Sequence, residues 1–232
     1  MNERIVQLAD QTRQHVEKLT AFGFDSIPSS HTLSREASTG ASRSDDTEFA
    51  NLRTEVLACK KCDELARGRS TVVFGSGNAH AELVFVGEAP GFHEDQQGLP
   101  FVGRAGELLT KMIEAMGLKR QDVFICNVLK CRPPNNRNPF PEEIINCQPY
   151  LERQLDLIKP KVICAMGNFA AQTLLKSVKS ISQLRGNIYE FKGIPCLPTF
   201  HPAYLLRNPA DKRKAWEDLK KIRELLGMEP LR

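Results

Sequence analysis

Ile5, Leu8, Thr12, Val16 and Leu19 recur at helical spacing, which predicts an amphipathic helix over residues 3–22. The next stretch, DSIPSSHTLSREASTGASRSDD, is rich in Ser, Thr, Gly and Asp and poor in apolar positions; it reads as a flexible linker. These segments place an N-terminal helix and linker in residues 1–46 and a compact domain in residues 47–232. Within the domain, apolar runs alternate with helical periods. AELVFVG (81–87), DVFICNVLKC (122–131) and PKVICAMG (160–167) are short, nearly continuous apolar runs of the kind that form buried parallel strands. GELLTKMIEAMG has helical period and a glycine stop. PEEIINCQPYLERQLDLIK opens with Pro and two Glu, a helix start, and carries Pro149 as a point of kinking. NFAAQTLLKS and the basic DKRKAWEDLKKIRELLG predict two more helices. IYEFKGIPCLPTF predicts a strand, a tight turn at Lys192-Gly193 and a second strand. The pattern predicts a three-layer α/β/α domain with a mostly parallel central sheet, its ligands bound beyond the C-terminal ends of the strands.

Charge adds a little. The chain of 232 residues carries a formal net charge of +4. Residues 1–50 hold five Lys/Arg against eight Asp/Glu, so the excess of positive charge lies in the domain. A mildly basic domain suits a polyanion, as do many proteins with other roles. No run of 18 apolar residues is present and the first residues lack the apolar stretch of a signal peptide, so a cytoplasmic protein without membrane contact is expected. Seven cysteines in such a compartment argue against a disulfide framework.

Cys59 and Cys62 form a C-x-x-C in a polar setting, Cys131 ends the second strand candidate, and Cys147 follows inside a helix. Four thiolates suit tetrahedral zinc or an iron–sulfur cluster, and spacing alone leaves the two near even. Cys126, Cys164 and Cys196 sit within apolar strands and read as packed thiols. VFGSGN (73–78) lacks the third glycine of a dinucleotide loop and the Lys-Ser/Thr of a P-loop, so it reads as a surface turn. The segment GEAPGFHEDQQGLPFVGRAGELL (87–109) leaves the first strand with carboxylates and an aromatic ring in one glycine-rich loop. Phe101 there could stack on a planar base, and Glu88 and Glu94 could position water or stabilise a cation. In TFHPAYLLRNP (199–209) a histidine follows an apolar strand and two leucines fall on an expected exposed loop, the form of an apolar wedge.

GEAPGFHEDQQGLPFVGRAGELL, NVLKCRPPNNRNP and HPAYLLR together resemble the family 4, iron–sulfur branch of the uracil-DNA glycosylases, over about residues 50 to 226. The resemblance implies a hydrolase that flips uracil out of DNA, cleaves its N-glycosidic bond and leaves an abasic site for base-excision repair. It implies a 4Fe–4S cluster on Cys59, Cys62, Cys131 and Cys147, structural rather than redox. It implies a pocket in which Glu88 and Ala89 stand near the water, Phe101 stacks on uracil and Asn127 reads its O4/N3 edge. Glu94 is a further active-site carboxylate and His201 donates to O2. Leu205, Leu206 and Arg207 supply the wedge that fills the vacated stack. Ala89 stands where the best-known branch of the superfamily has an Asp, which leaves Glu88 as the candidate for that role. RPPNNRNPF lacks the histidine with which a related subgroup traps the sugar, so turnover is expected. The expected partner is uracil-containing DNA, bound by a monomer, with residues 1–22 a candidate docking element for a second protein.

Overall fold

The computed structural model describes residues 41–229. The helix expected over residues 3–22, and any partner it docks, lie outside the described residues. The compact unit begins at Ala41, with helix α1 over Ala41–Leu57. Residues 41–46, read above as the end of the linker, are therefore helical. Asp45 pairs with Lys159 at 2.9 Å and Asp46 with His80 at 2.7 Å, which ties this end of α1 to the domain. The composition hid it because only one side of α1 is apolar, with Leu52 and Val56 fully buried.

A six-stranded sheet forms the middle layer. Its strands are β1 (Ser76–Gly77), β2 (Leu83–Gly87), β3 (Phe124–Asn127), β4 (Val162–Met166), β5 (Tyr189–Phe191) and β6 (Ile194–Thr199). Their order is β1-β3-β2-β4-β6-β5. The four central strands are parallel, and the short edge strands β1 and β5 are antiparallel to their neighbours. The β5–β6 hairpin turns at Lys192-Gly193, as expected. VFGSGN is not simply a surface turn: Ser76 and Gly77 pair with Ile125 and Phe124, covering that edge of the sheet. β3 is shorter than the apolar run 122–131, because the chain leaves the ladder after Asn127. Val128 and Leu129 still donate to the carbonyls of Gly87 and Glu88, at 2.9 and 3.0 Å.

Alternation along the strands sorts the core into two layers. Val84, Val86, Ile163 and Ala165 face one side. There they meet α1, α5 (Pro141–Ile158) through Leu151 and Leu155, and α6 (Asn168–Leu175) through Ala170 and Leu174. Leu83, Phe85, Val162 and Cys164 face the other side. They meet α4 (Arg104–Ala115) through Leu109 and Ile113, and α9 (Lys212–Leu225) through Leu219 and Ile222. Each fully buried Leu or Phe contributes roughly 1.5–3 kcal/mol of burial free energy. α5 starts as its sequence predicts: Pro141 takes the first turn and the Glu143 carboxylate accepts the Phe140 N–H at 2.8 Å. Pro149 sits on its exposed side within one continuous helix.

Three short helices were not anticipated: α2 (Asp63–Gly68), α3 (Phe92–Gln97) and α8 (Pro202–Arg207). α7 (Ile181–Leu184) is a single turn. Among the described residues, no helix is long and apolar enough to cross a membrane.

Candidate active site

The chain passes from β2 to β3 on one side and then crosses from β3 to β4 on the other side of β2, so a crevice opens at the C-terminal ends of these strands. A pocket of about 620 Å³ fills it, and Glu88, Ala89, Glu94, Phe101, Asn127 and His201 all line it. Six residues singled out from sequence, spread over three loops, are thus brought together.

The floor is built around a missing side chain. A Cβ on Gly87 would lie 2.4 Å from Asn127 Oδ1 and 2.6 Å from Phe101 Cζ. Glycine at this strand end lets both groups close over the backbone. Asn127 is 1 % exposed, and its Oδ1 is buried without a hydrogen-bond partner among the described residues. A buried amide oxygen left unpaired costs about 1–3 kcal/mol, so this atom awaits a donor from a ligand. Phe101 has φ 52°, a left-handed backbone that a phenylalanine adopts at a cost of roughly 1–2 kcal/mol. Arg120 holds it there: its Nη2 donates to the carbonyls of Pro100 and Phe101 at 2.6 and 3.1 Å. Gly106 allows the approach from below, since a Cβ there would lie 1.8 Å from the Phe101 carbonyl oxygen. The ring is consequently fixed, 5.5 Å from the His201 ring and tilted 34° to it.

His201 caps α8. Its Nδ1 accepts the Ala203 N–H at 3.1 Å, so the ring hydrogen resides on Nε2. Burial, and then the nearby Arg207 cation, lower its pKa from 6.5 to about 4, with Glu94 pulling weakly the other way. Near neutral pH the ring is an uncharged Nε2–H donor at the pocket.

The two carboxylates of the loop differ. Glu94 Oε1 accepts the N–H groups of Val102 and Gly103, at 3.0 and 3.2 Å, and so fastens the Phe101 loop at the start of α4. Glu88 has no side-chain hydrogen bond or ion pair among the described residues, and burial raises its pKa above the ordinary carboxylate value. Sequence reasoning passed over Asp95, which is 1 % exposed. It accepts the Ser70 N–H at 3.0 Å and the Thr71 N–H at 3.4 Å, tying the pocket loop to the segment after α2. Its place beside Glu94 gave no signal of that role.

The expected exposed loop at 201–209 is instead α8. Leu205 is 1 % exposed and packs in the core, so it is not a free wedge. Leu206 is half-buried and Arg207 exposed, with Arg207 on the pocket rim. The reversal follows from helical spacing, which turns successive leucines to different sides.

Cys59, Cys62, Cys131 and Cys147 line one small cavity between α1, α2, the segment after β3 and α5. None forms a disulfide. Arg69 Nη1 donates to Cys131 Sγ at 2.9 Å, the Lys130 N–H to Cys147 Sγ at 3.3 Å, and Asn146 Nδ2 to Cys62 Sγ at 3.7 Å. Burial pushes the Cys147 thiol up to about 12 and raises Cys131 and Cys62 as well; Lys130 and Arg69 oppose this at Cys147 and Cys131. Among the described residues no three His, Cys, Asp or Glu side chains converge as ligands of a single metal ion. Four cysteine side chains on one cavity are a donor set that suits either a tetrahedral metal or an iron–sulfur cluster. Cys126, Cys164 and Cys196 are at most 1 % exposed within the strands and take no part in the cavity.

The sequence profile of the Uracil DNA glycosylase superfamily matches residues 74–220. The Type-4 uracil-DNA glycosylase of Archaeoglobus fulgidus is 48 % identical over 181 residues, covering 75 % of this chain and 90 % of that protein. That of Sulfurisphaera tokodaii is 49 % identical over 183 residues, 75 % of this chain and 83 % of the relative. That of Thermotoga maritima is 46 % identical over 178 residues, 75 % of this chain and 92 % of the relative.

Proposed function

The chain belongs to the uracil DNA glycosylase superfamily, and from that premise we propose that it excises uracil from DNA and leaves an abasic site for repair. The observation that carries the reading is the buried, unpaired Oδ1 of Asn127. It lies in the same pocket as a fixed aromatic ring and a neutral imidazole donor. Uracil supplies what each lacks. Its N3–H donates to Asn127 Oδ1, its O4 accepts from the Asn127 amide, and its face stacks on Phe101. Cytosine has a lone pair at N3 and an amino group at C4, so with the amide in this orientation it would leave polar atoms unpaired. Sites of this type reject the mismatched ligand by about 10⁴-fold.

Cleavage of the N-glycosidic bond sends negative charge onto the base, much of it to O2. His201 Nε2–H donates there, and the fixed tautomer means that no reorganisation is needed as the charge grows. The imidazole stays neutral and transfers no proton. The sugar becomes electron-poor at C1′, where Glu88 is the carboxylate free to face the cation or hold the attacking water. Ala89 offers neither. Glu94 acts through the loop, as the clamp on Val102 and Gly103. Leu206, with Arg207 beside it, is the part of HPAYLLR that enters the gap left by the flipped nucleotide; Leu205 anchors it from the core.

Cys59, Cys62, Cys131 and Cys147 fit as holders of a 4Fe–4S cluster, which when bound supplies folding free energy and cross-links α2, α5 and the segment after β3. The reaction itself is hydrolysis by the residues of the pocket. The enzyme is read as a cytoplasmic monomer. The test is single-turnover incubation with a uracil-containing oligonucleotide followed by alkali. Strand scission at uracil, with none at cytosine in the same context, is expected. An Asn127→Asp enzyme that excises uracil at the unaltered rate would refute the assignment of that amide.

A further inference from the structure

Lys130 is 1 % exposed, among the largest fully buried side chains of the domain. A buried ammonium with no carboxylate is costly, and an apolar side chain of similar volume would usually fill such a site at lower cost. Lys130 makes no ion pair among the described residues. Its Nζ donates to two neutral oxygens instead: the main-chain carbonyl of Asn127 at 2.8 Å and Gln154 Oε1 at 2.5 Å. Gln154 is itself completely buried and is braced in turn, its Nε2 donating to the Phe74 carbonyl at 2.9 Å. The main chain of Lys130 is held at both ends, its N–H by Cys147 Sγ and its carbonyl by the Val73 N–H at 2.8 Å. Lys130 also lines the cysteine cavity. One side chain therefore reaches from the cavity of the four thiols to the backbone of the residue that meets uracil.

We propose that Lys130 is a positioning residue for uracil recognition: its ammonium, balanced by the cysteine-bound group, grips the Asn127 carbonyl and sets where the Asn127 amide stands in the pocket. The inference rests on Asn127 reading the base. β3 ends at Asn127, and beyond it the main chain keeps only single bonds to its neighbours, from Val128 and Leu129 to the carbonyls of Gly87 and Glu88. The Lys130 contact closes the four-residue turn 127–130, so Asn127 Oδ1 can remain unpaired at a fixed place without collapsing onto a nearby donor. When the four cysteines hold the cluster they do so as thiolates, and these would supply the negative charge that the two amide oxygens do not.

Lys130→Met keeps the volume and removes the donor. It is compared with the unaltered holoenzyme for iron per chain, visible absorption, affinity for free uracil, affinity for abasic-site DNA, and single-turnover rate. Iron and abasic-site affinity should hold within about twofold. Free-uracil affinity and rate should each fall by about 10- to 100-fold, the range usual for loss of an outer-shell partner. Unchanged uracil affinity and rate in iron-replete Lys130→Met would overturn the proposal. If that variant yields no folded protein, Gln154→Leu decides: it leaves the ammonium and removes its brace. There, weakened uracil affinity with full iron supports the proposal, and unaltered affinity overturns it. Failure of the unaltered enzyme to release uracil would count against the glycosylase reading, whereas normal release there with unchanged variants counts against Lys130 alone.

Discussion

Protonation of His201 offers a direct test of the pocket chemistry. The ring is neutral because burial and Arg207 bring its pKa down to about 4, from 6.5 for a free histidine. In the unfolded chain the ring takes up a proton as pH falls through 6.5; in the folded enzyme it does so only near 4. The neutral ring therefore contributes stability that is fully present above 6.5 and is lost as pH falls toward 4. A gap of this size corresponds to about 3 kcal/mol at most. Activity should follow the folded value. Single-turnover excision should stay level from pH 8 to about 5 and be halved near pH 4, where protonation breaks the Ala203 N–H···Nδ1 bond. His201→Ala should cut the rate by about 100- to 1,000-fold, the cost of one preorganised donor, and remove roughly 1 kcal/mol of stability with the cap. His201→Asn restores an acceptor for the cap without the reach of the ring, so it should recover stability and not rate. Glu88 also titrates above the ordinary carboxylate range, so the profile is measured again in Glu88→Gln. A fall in rate centred near pH 6.5 that survives Glu88→Gln would refute a neutral His201.

Gly87→Ala should abolish uracil excision while abasic-site DNA still binds, because the new methyl would occupy the space of Asn127 Oδ1 and the Phe101 ring; measurable excision would show that the floor can shift. Ser in place of Cys59, Cys62, Cys131 or Cys147 should lower iron content and the yield of soluble protein, whereas Cys196→Ser should keep full iron; full iron in Cys147→Ser would remove it from the ligand set. Removing residues 1–40 should leave single-turnover rate and melting temperature within experimental scatter, but a cut after residue 46 should lower the melting temperature, since it removes the Asp45 and Asp46 pairs at the head of α1; equal melting temperatures would mean those pairs contribute nothing.

The central strands and the long helices were legible because burial on both faces writes continuous apolar runs and one buried face writes a helical period. The pocket residues were legible through motif order, and the sheet topology explains why they meet: each motif follows the end of a different parallel strand. What stayed hidden depended on contacts between distant segments. Nothing in LLR tells which leucine turns inward; that is decided by α8 packing in the layer of Phe85 and Leu109. Glu94 and Asp95 are adjacent and alike in sequence, yet one clamps the Phe101 loop and the other the segment after α2. α1 was missed because two buried side chains among residues 45–57, Leu52 and Val56, make a weak signal. Lys130 was missed because a lysine ending an apolar run reads as the point where the chain meets water.

Glu88, Asn127 and His201 stand at the ends of β2, β3 and β6, and the parallel pairs that bring them together join chain segments far apart in sequence. Such pairing forms late, after long loops have closed. During synthesis β2 and β3 emerge before β6 and His201. A nascent or truncated polypeptide can therefore expose the glycine-rich loop and the asparagine with no imidazole to complete them. The pocket is complete only when β2, β3 and β6 stand in one sheet, so recovered activity after refolding reports closure of the sheet.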